Sequence, residues 1–198
     1  MKNRPSWDER FMVEAILAAT RHTCLKRGVG AILVKDKHTL TSGYNGAASG
    51  ITSCRDLGYC YYEELALQES KHNGKSFDEI RENFKVYCQA VHAEANAFSR
   101  CSLRETEDST LYVTNFPCPK CTQDFIITGK VKAVCVWKHY LSNPTLTIDE
   151  KRASERKLLE AGVSVRYIKL TPERISEIAN YMAYNVGERT DYKFKGGE

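Results

Sequence analysis

The sequence has no long hydrophobic run, no internal repeat and no low-complexity segment. No apolar stretch approaches the roughly 20 residues that a helix needs to cross a bilayer. The basic first ten residues, which include a tryptophan, also lack the apolar centre of a secretory signal. We therefore expect a soluble, cytoplasmic protein with no membrane partner.

A strong excess of charge of either sign is also missing. Lysine and arginine number 29 and aspartate and glutamate 25, so the formal net charge at pH 7 is +4. This excess falls short of the basic stripe of a dedicated nucleic-acid-binding protein, although it can attract phosphate. A small anionic ligand therefore fits this charge better than a nucleic acid does.

What the sequence does contain is typical of a globular domain. Hydrophobic residues make up 42% and charged residues 27% of the 198 residues, which excludes a wholly disordered or fibrous protein. This length suits a single domain over 1–198 that buries a real hydrophobic core. Glycines and clustered tyrosines weaken the pattern at about 47–91, which we interpret as an insertion, and a helix and a tail follow at about 171–198.

Eight cysteines are many for a protein in which we find no export signal. A reducing cytosol disfavours disulfides, so metal ligation is the default interpretation of these residues. Cys101 and Cys135 are exceptions, because the first lies on an apolar helix face and the second in a hydrophobic strand. We expect both of them in the core.

The pattern along the chain predicts helices and strands that alternate in the second half. Ser6 and Glu9 form a capping-box pair at the start of a helix at about 6–21, and Asp36-Lys37 joins two strands, 29–34 and 39–44, into a hairpin. Further helices are predicted at 92–100, 118–128, 149–161 and from 171, and further strands at 110–114, 132–137 and 163–168. The alternation implies parallel strands with right-handed crossovers.

Two short motifs carry the chemistry. His92-Ala93-Glu94 precedes one predicted helix, and Pro117-Cys118-Pro119-Lys120-Cys121 begins another, 26 residues after His92. Either motif alone is only modest support for a catalytic metal site, since a C-x-x-C pair can be a redox pair or half of a zinc ribbon. Together they match the H-x-E…P-C-x-x-C signature of zinc-dependent nucleobase deaminases.

The residue types in these motifs suit a catalytic Zn²⁺. Such an ion takes three protein ligands and keeps a fourth position open, and His92, Cys118 and Cys121 supply the three. Glu94 is then free to move protons, so that water adds to C4 of a cytosine ring and ammonia leaves. The alternative is a structural metal site completed by a fourth ligand, which would leave Glu94 without a task.

Several segments in order resemble the deoxycytidylate deaminase family over about 6–168. They are Ser6-Trp7-Asp8-Glu9-Arg10-Phe11-Met12, Val29-Gly30-Ala31, Gly43-Tyr44-Asn45-Gly46, His92-Ala93-Glu94-Ala95-Asn96-Ala97, Tyr112-Val113-Thr114 and the cysteine motif. The resemblance implies a three-layer α/β/α sandwich around a mixed five-stranded sheet. It also implies conversion of dCMP to dUMP and ammonia by a homo-oligomer, often a hexamer. Many members are activated by dCTP, for which Mg²⁺ would accompany the nucleotide, and inhibited by dTTP.

The resemblance further implies the substrate contacts. Asn45, Asn96 and Tyr140 would contact the nucleotide, and Ala93 would offer its backbone amide to the base carbonyl. Alternatively, Asn45 only shapes a turn, and Asn96 and Tyr140 have no contact with substrate. For the phosphate the resemblance points to an arginine on the helix after His92, for which we choose Arg104. Other candidates are Arg100, Lys26, Arg27 and Lys138.

Four more cysteines form a candidate for a second, structural Zn²⁺ site. In some members of the family, cysteines or histidines near the first strand and in the insertion bind such an ion, and Cys24 and Cys54 occupy matching places. Cys60 and Cys88 are our choices for the last two ligands, with His72 in reserve. The alternative is that these thiols are small buried hydrophobic groups.

Two competing functions remain open from the sequence. One is a deaminase that acts on cytosine or adenine in a nucleic acid, which would need a basic and aromatic groove around the pocket. The other is a zinc-bound binding protein without catalysis. The presence of Glu94 argues against the latter, since loss of that acid is the simplest way to lose turnover.

Overall fold

The computed structural model describes residues 4–137 and 146–185 of the chain. The strands are β1 (Gly30–Lys35), β2 (His38–Tyr44), β3 (Gly46–Ala47), β4 (Ala90–Val91), β5 (Thr110–Val113), β6 (Ala133–Trp137) and β7 (Ser164–Ile168). The helices are α1 (Trp7–Ala19), α2 (Cys54–Leu57), α3 (Tyr61–Asn73), α4 (Phe77–Phe84), α5 (Ala93–Phe98), α6 (Leu103–Thr106), α7 (Pro119–Cys121), α8 (Ile148–Glu160) and α9 (Pro172–Asn185). A 3₁₀ turn spans Lys85–Tyr87, and a π-helix at Thr122–Ile127 continues α7.

Five strands form the central sheet in the order β2-β1-β5-β6-β7. β1 pairs antiparallel with both β2 and β5, whereas β5, β6 and β7 run parallel. The mixed five-stranded sheet is therefore confirmed. The parallel half arises where strands alternate with helices, as the pattern in the second half of the sequence predicts.

Local sequence signals explain how α1 and the hairpin form. Ser6 Oγ accepts the backbone N–H of Glu9, and Glu9 Oε2 accepts the backbone N–H of Ser6, so the predicted capping box is confirmed. In the turn between β1 and β2, Asp36 and Lys37 have φ of 51° and 64°. The tight two-residue turn that matches the twist of a hairpin requires a left-handed backbone conformation at both of its central residues.

Helices cover both faces of the sheet and form the three layers. One core cluster joins α1 and α9 to the sheet; its members are Phe11, Met12, Ala15, Ile32, Val34, Tyr112, Cys135, Leu170 and Ile178. The other joins α5, the π-helix and α8; its members include Ala93, Ala97, Phe98, Val113, Ile126, Val136 and Leu158. Cys135 is buried in the first cluster and Cys101 packs against the second, as predicted.

Glycine in β2 lets α5 lie directly on the sheet. A Cβ at Gly43 would come 2.2 Å from the carbonyl oxygen of Ala93 and 2.5 Å from the backbone nitrogen of Ala97. Such distances are too short for any side chain, so only glycine allows this approach. The close packing places the start of α5 against the sheet.

The predicted insertion is a helical excursion whose two ends meet. Gly46 pairs with Val91 and Ala47 with Ala90, so β3 and β4 bring the entry and exit of the segment together. Between them lie α2, α3 and α4, of which α3 and α4 bury Tyr62, Ala66 and Ile80. The predicted C-terminal helix is α9; the tail predicted after it lies outside the described residues from 186 onward. No helix in the described ranges has the length and apolar character needed to cross a membrane.

Candidate active site

Three predicted metal ligands converge at the ends of two helices. His92 Nδ1 lies 3.6 Å from Sγ of Cys118 and 3.3 Å from Sγ of Cys121. Within the described residues this is the one group of three or more histidine, cysteine or acidic side chains whose ligand atoms all lie within 4.8 Å of one another. The structure therefore brings the two sequence motifs together.

Secondary structure explains the convergence. His92 and Cys118 are the N-caps of α5 and α7, and each has an extended backbone. Cys121 lies at the end of the single turn of α7. The backbone N–H of Cys121 donates to Sγ of Cys118 at 3.4 Å, which holds the two sulfurs of the turn on one side.

The donor set fits a zinc ion. At usual Zn–N and Zn–S bond lengths, a histidine nitrogen and a cysteine sulfur on one tetrahedral ion are about 3.5 Å apart. The observed separations of 3.3 and 3.6 Å bracket this value. One imidazole and two thiolates also leave one position of a four-coordinate ion for water, as a catalytic zinc requires.

The thiols and the imidazole share their protons. Hydrogen bonds from Cys121 and His92 lower the pKa of Cys118, which favours its thiolate. The pKa of Cys121 is raised, first by its hydrogen bond to Cys118. The pKa of His92 is raised, chiefly because the ring hydrogen-bonds to Cys118. Cys118 is therefore the ligand whose anionic form the site favours most.

Glu94 is a buried acid beside the three ligands. It lies in the first turn of α5, and only 4% of its surface is exposed. Burial disfavours the charged carboxylate and raises its pKa, with His92 acting in the opposite direction. A carboxyl group with a raised pKa holds a proton more readily and can pass it on, as a general acid and base must.

A cavity of about 500 Å³ opens onto this group, a size typical of small-molecule sites. It is lined by His92, Ala93, Glu94 and Cys118, together with Cys24, Lys26, Arg27, Val29, Asn45, Cys54, Cys60, Tyr62, Cys88, Ala90, Asn115, Phe116, Pro119, Lys120, Leu146 and Glu150. The cavity therefore joins the predicted zinc site, the strand ends and the insertion.

Only some of the predicted substrate contacts lie at the cavity. Ala93 and Asn45 line the cavity. The side chain of Asn45 also accepts the backbone N–H of Val29 at 2.7 Å and donates to the carbonyl of Arg27 at 3.1 Å, so it holds that wall in place. Its contact with substrate stays a prediction.

Of the other three predicted contacts, two do not line the cavity and one lies outside the described residues. Asn96 donates its side-chain amide to the carbonyl of Tyr44 at 2.7 Å. Arg104 is exposed on the short helix α6. Tyr140, like Lys138, lies outside the described residues. The structure thus supplies no substrate-facing position for Asn96 or Arg104.

All four cysteines of the predicted second metal site line the same cavity. Cys24, Cys54, Cys60 and Cys88 come from the loop before β1, from the insertion and from the segment before β4. Among the described residues they do not form a group of three ligand atoms within 4.8 Å. Cys54 and Cys60 are close enough for the charge of one to raise the pKa of the other, although burial contributes most to the raised pKa of Cys60.

Three cationic side chains also reach the cavity. Lys26 donates to Glu63 Oε1 at 2.5 Å and to the hydroxyl of Tyr62. Burial disfavours the charged ammonium, but these hydrogen bonds outweigh it and raise the pKa of Lys26. Lys120 pairs with Asp124, whereas no ion pair of Arg27 is found within the described residues.

Sequence reasoning missed several residues of the cavity wall. Asn115 and Phe116 directly precede the cysteine motif, so their position in the chain was a usable signal. Leu146 and Glu150 lie near the start of α8, far from any motif. Only the packing of α8 beside α7 and the π-helix brings them to the cavity.

Known proteins are similar to this chain in sequence and in fold. The model of the family described as the cytidine and deoxycytidylate deaminase zinc-binding region matches residues 5–138. The "Deoxycytidylate deaminase" of Mycobacterium phage D29 is 34% identical over 132 residues, which cover 67% of this chain and 95% of the phage protein. "ComE operon protein 2" of Bacillus subtilis is 29% identical over 179 residues, covering 89% and 78% of the two chains.

Solved structures agree with the sequence relatives. The crystal structure of dCMP deaminase from the cyanophage S-TIM5 in apo form matches with a TM-score of 0.53 and 26% identity. The match covers 83% of this chain and 99% of the cyanophage chain. A His/Cys/Cys group beside a buried glutamate defines the class of zinc-dependent deaminases. The chain belongs to the cytidine and deoxycytidylate deaminase family, which confirms the resemblance seen in its motifs.

Proposed function

We propose that this chain hydrolyses dCMP to dUMP and ammonia. The observation that carries the proposal is the convergence of His92, Cys118 and Cys121 with the buried Glu94 at one cavity. The phage D29 relative, named a deoxycytidylate deaminase, supports the choice of substrate. A zinc ion held by the three ligands would supply a Lewis acid that lowers the pKa of water and makes it nucleophilic near neutral pH.

Glu94 performs the proton transfers. Its carboxylate takes a proton from the attacking water and delivers it to N3 of the cytosine ring, while the water oxygen bonds to C4. Glu94 then takes the remaining proton of the water from the new C4 hydroxyl and passes it to the 4-amino group, the C4–N bond breaks and ammonia leaves. One water is consumed, and the pyrimidine keeps its oxygen at C4. The burial that raises the pKa of Glu94 suits a group that must both accept and donate.

We propose Arg27, in place of Arg104, as the phosphate contact. Arg27 lines the cavity, and no ion pair within the described residues neutralises its guanidinium. Arginine also offers a fork of donors that matches phosphate oxygens. Ala93 and Asn45 line the same cavity and remain our candidates for contacts with the base and sugar.

A second, structural Zn²⁺ is also proposed, with Cys24, Cys54, Cys60 and Cys88 as ligands. These four thiols line one cavity although they come from separate segments. Closure around an ion would tie the insertion, which buries few apolar side chains, to the loop before β1.

The resemblance of the motifs supports three further proposals. The chain would assemble as a homo-oligomer such as a hexamer, act in the cytoplasm, and respond to dCTP with Mg²⁺ as activator and to dTTP as inhibitor. Rate curves against dCMP, with and without dCTP and Mg²⁺, test the regulation. We expect a lower half-saturating concentration with the effector, whereas an unchanged curve would indicate an unregulated enzyme.

A substrate panel tests the main proposal. The purified, zinc-loaded protein is incubated with dCMP, deoxycytidine and a cytosine-containing oligonucleotide, and ammonia release is measured. We expect turnover of dCMP and, because the phosphate contact is lost, much weaker turnover of deoxycytidine. Turnover of the oligonucleotide without turnover of dCMP would identify a nucleic-acid deaminase, and no turnover of any substrate would favour a binding role.

A further inference from the structure

One buried side chain of the cavity wall lacks a partner. Asn115 is only 7% exposed and lines the cavity. Its Oδ1 is buried and accepts no hydrogen bond from the described part of the chain. Buried polar atoms are nearly always paired in native proteins, so an unpaired acceptor next to a cavity calls for a ligand that donates to it.

The polar side chains next to Asn115 have hydrogen-bond partners, unlike the Oδ1 of Asn115 itself. Thr114 accepts the backbone N–H of Gly30 at 3.1 Å, and both ends of the Asn45 amide are bonded to backbone. Other buried side-chain atoms also lack partners, on Arg81, Gln89, Ser109, Thr122 and Ser154. None of these residues lines the cavity, so among them Asn115 alone is placed to meet a ligand.

Asn115 lies close in the chain to the cysteine motif and lines the same cavity as His92, Glu94 and Cys118. It lies two residues after the end of β5 and three residues before Cys118. The adjacent Phe116 also lines the cavity and has the ammonium of Lys151 5.7 Å from its ring centre. The amide therefore lines the cavity beside the segment that carries Cys118.

Cytosine offers one kind of donor on its ring edge. Its O2 and N3 are acceptors, whereas its 4-amino group donates. Uracil has a carbonyl at C4, which cannot donate to an amide oxygen. Uracil still donates through its N3–H, so the discrimination applies to an acceptor that faces position 4. An acceptor at that position complements the substrate of the reaction and not its product.

We propose that Asn115 is a specificity-determining residue whose Oδ1 accepts a hydrogen bond from the 4-amino group of the substrate. This proposal rests on the deaminase function proposed above. Asn115 would favour binding of dCMP over dUMP, so that the product leaves once ammonia is lost. A site that hydrogen-bonds a substrate group discriminates against a molecule without that group, because its buried polar atom is then left unpaired.

The test uses Asn115→Leu, which removes the acceptor and keeps the branched shape at Cγ. We expect the KM for dCMP to rise about 5- to 10-fold, the loss typical of one neutral hydrogen bond, while the inhibition constant of dUMP changes less than twofold. Zinc content should stay the same, and the melting temperature should hold or rise because an unpaired buried amide has been removed. Ser154→Ala, which removes an unpaired buried hydroxyl away from the cavity, is the matched control and should leave the KM unchanged.

The outcomes separate the two proposals. If the wild-type protein does not turn over dCMP, the deaminase function is wrong. If the wild type is active and Asn115→Leu keeps the ratio of dUMP inhibition constant to dCMP KM, the role of Asn115 is wrong. A variant that melts at a lower temperature with unchanged KM would show a structural role only. Asn115→Ala, which cannot overpack the wall, is measured in the same way if the leucine variant does not fold.

Discussion

The chemistry of this protein depends on side chains that are each placed by their own local backbone. His92 and Cys118 sit at helix N-caps, where an extended residue precedes the first turn. Glu94 follows within the first turn of α5 and is carried into the interior because Ala93 and Ala97 pack the same helix against the sheet. His92 and Glu94 are only two residues apart and line the same cavity, but His92 is exposed and Glu94 is buried.

Replacement of Glu94 by glutamine tests whether this residue transfers protons without being a metal ligand. Glutamine keeps the size but cannot carry the proton, so we expect kcat for dCMP to fall by about 10²- to 10⁴-fold. Zinc content, measured by atomic absorption, should be unchanged because Glu94 is not a ligand. Glu105→Gln, at an exposed capping box, is the control. Near-normal activity of Glu94→Gln would refute the proton-transfer role.

At the scale of elements, glycines and ion pairs decide how helices meet the sheet and each other. Gly43 lets α5 approach β2, and the Glu9–Arg174 pair joins the first and last described helices across 165 positions of the chain. Arg174 Nε and Nη2 lie 2.7 and 3.3 Å from the two carboxylate oxygens of Glu9. This two-point contact connects α1 to α9 on the face of the sheet opposite to α5.

The Glu9–Arg174 pair predicts a pH-dependent contribution to stability. The hydrogen bond from Arg174 lowers the pKa of Glu9 from 4.5 to about 2. A lowered pKa in the folded state means that the stabilisation is complete above pH 4.5 and is lost as the pH falls towards 2. We expect Glu9→Gln to cost about 1 kcal/mol at pH 7, with glutamine still able to complete the capping box.

Urea unfolding curves at several pH values check this prediction. The difference in unfolding free energy between wild type and Glu9→Gln should shrink between pH 4.5 and 2. Glu14→Gln, which alters an exposed pair on the same helix, serves as the control and should show a smaller difference at pH 7. A difference for Glu9→Gln that does not depend on pH would contradict the assignment.

At the scale of the whole molecule, one cavity connects the sheet, the helix starts and the insertion. The residues that line it come from segments between Cys24 and Glu150. The insertion supplies Tyr62 and Glu63, which hold Lys26, and three of the four cysteines proposed for the second metal site. A substitution in the insertion is therefore expected to affect the substrate cavity directly.

Metal analysis tests the proposed second site on the intact chain. We expect close to two zinc ions per chain, and close to one in the double variant Cys54→Ser/Cys60→Ser. The variant should also melt at a lower temperature, since a structural zinc contributes to folding. Cys101→Ser, at a core cysteine outside the cavity, should retain both ions. One zinc per chain in the wild type would refute the second site.

Much of the fold and the centre of the site could be predicted because the signals are local. The Ser6 capping box and the Asp36-Lys37 turn involve residues at most three apart, and their geometry follows from backbone and side-chain chemistry alone. The H-x-E and C-x-x-C spacings likewise determine which side chains leave each helix start together. The order of strands and helices then predicts the parallel half of the sheet.

The remaining features depend on residues that are far apart in the chain. The burial of Glu94, the unpaired oxygen of Asn115 and the position of Arg27 on the cavity wall result from packing between strands and helices that no short spacing encodes. For the same reason the choice of Arg104 for the phosphate was unsupported, since a position along a helix does not reveal which cavity that helix faces. Local chemistry thus selected the catalytic groups of this protein, whereas long-range packing determined the walls that surround them, because a cavity exists only where separate elements meet.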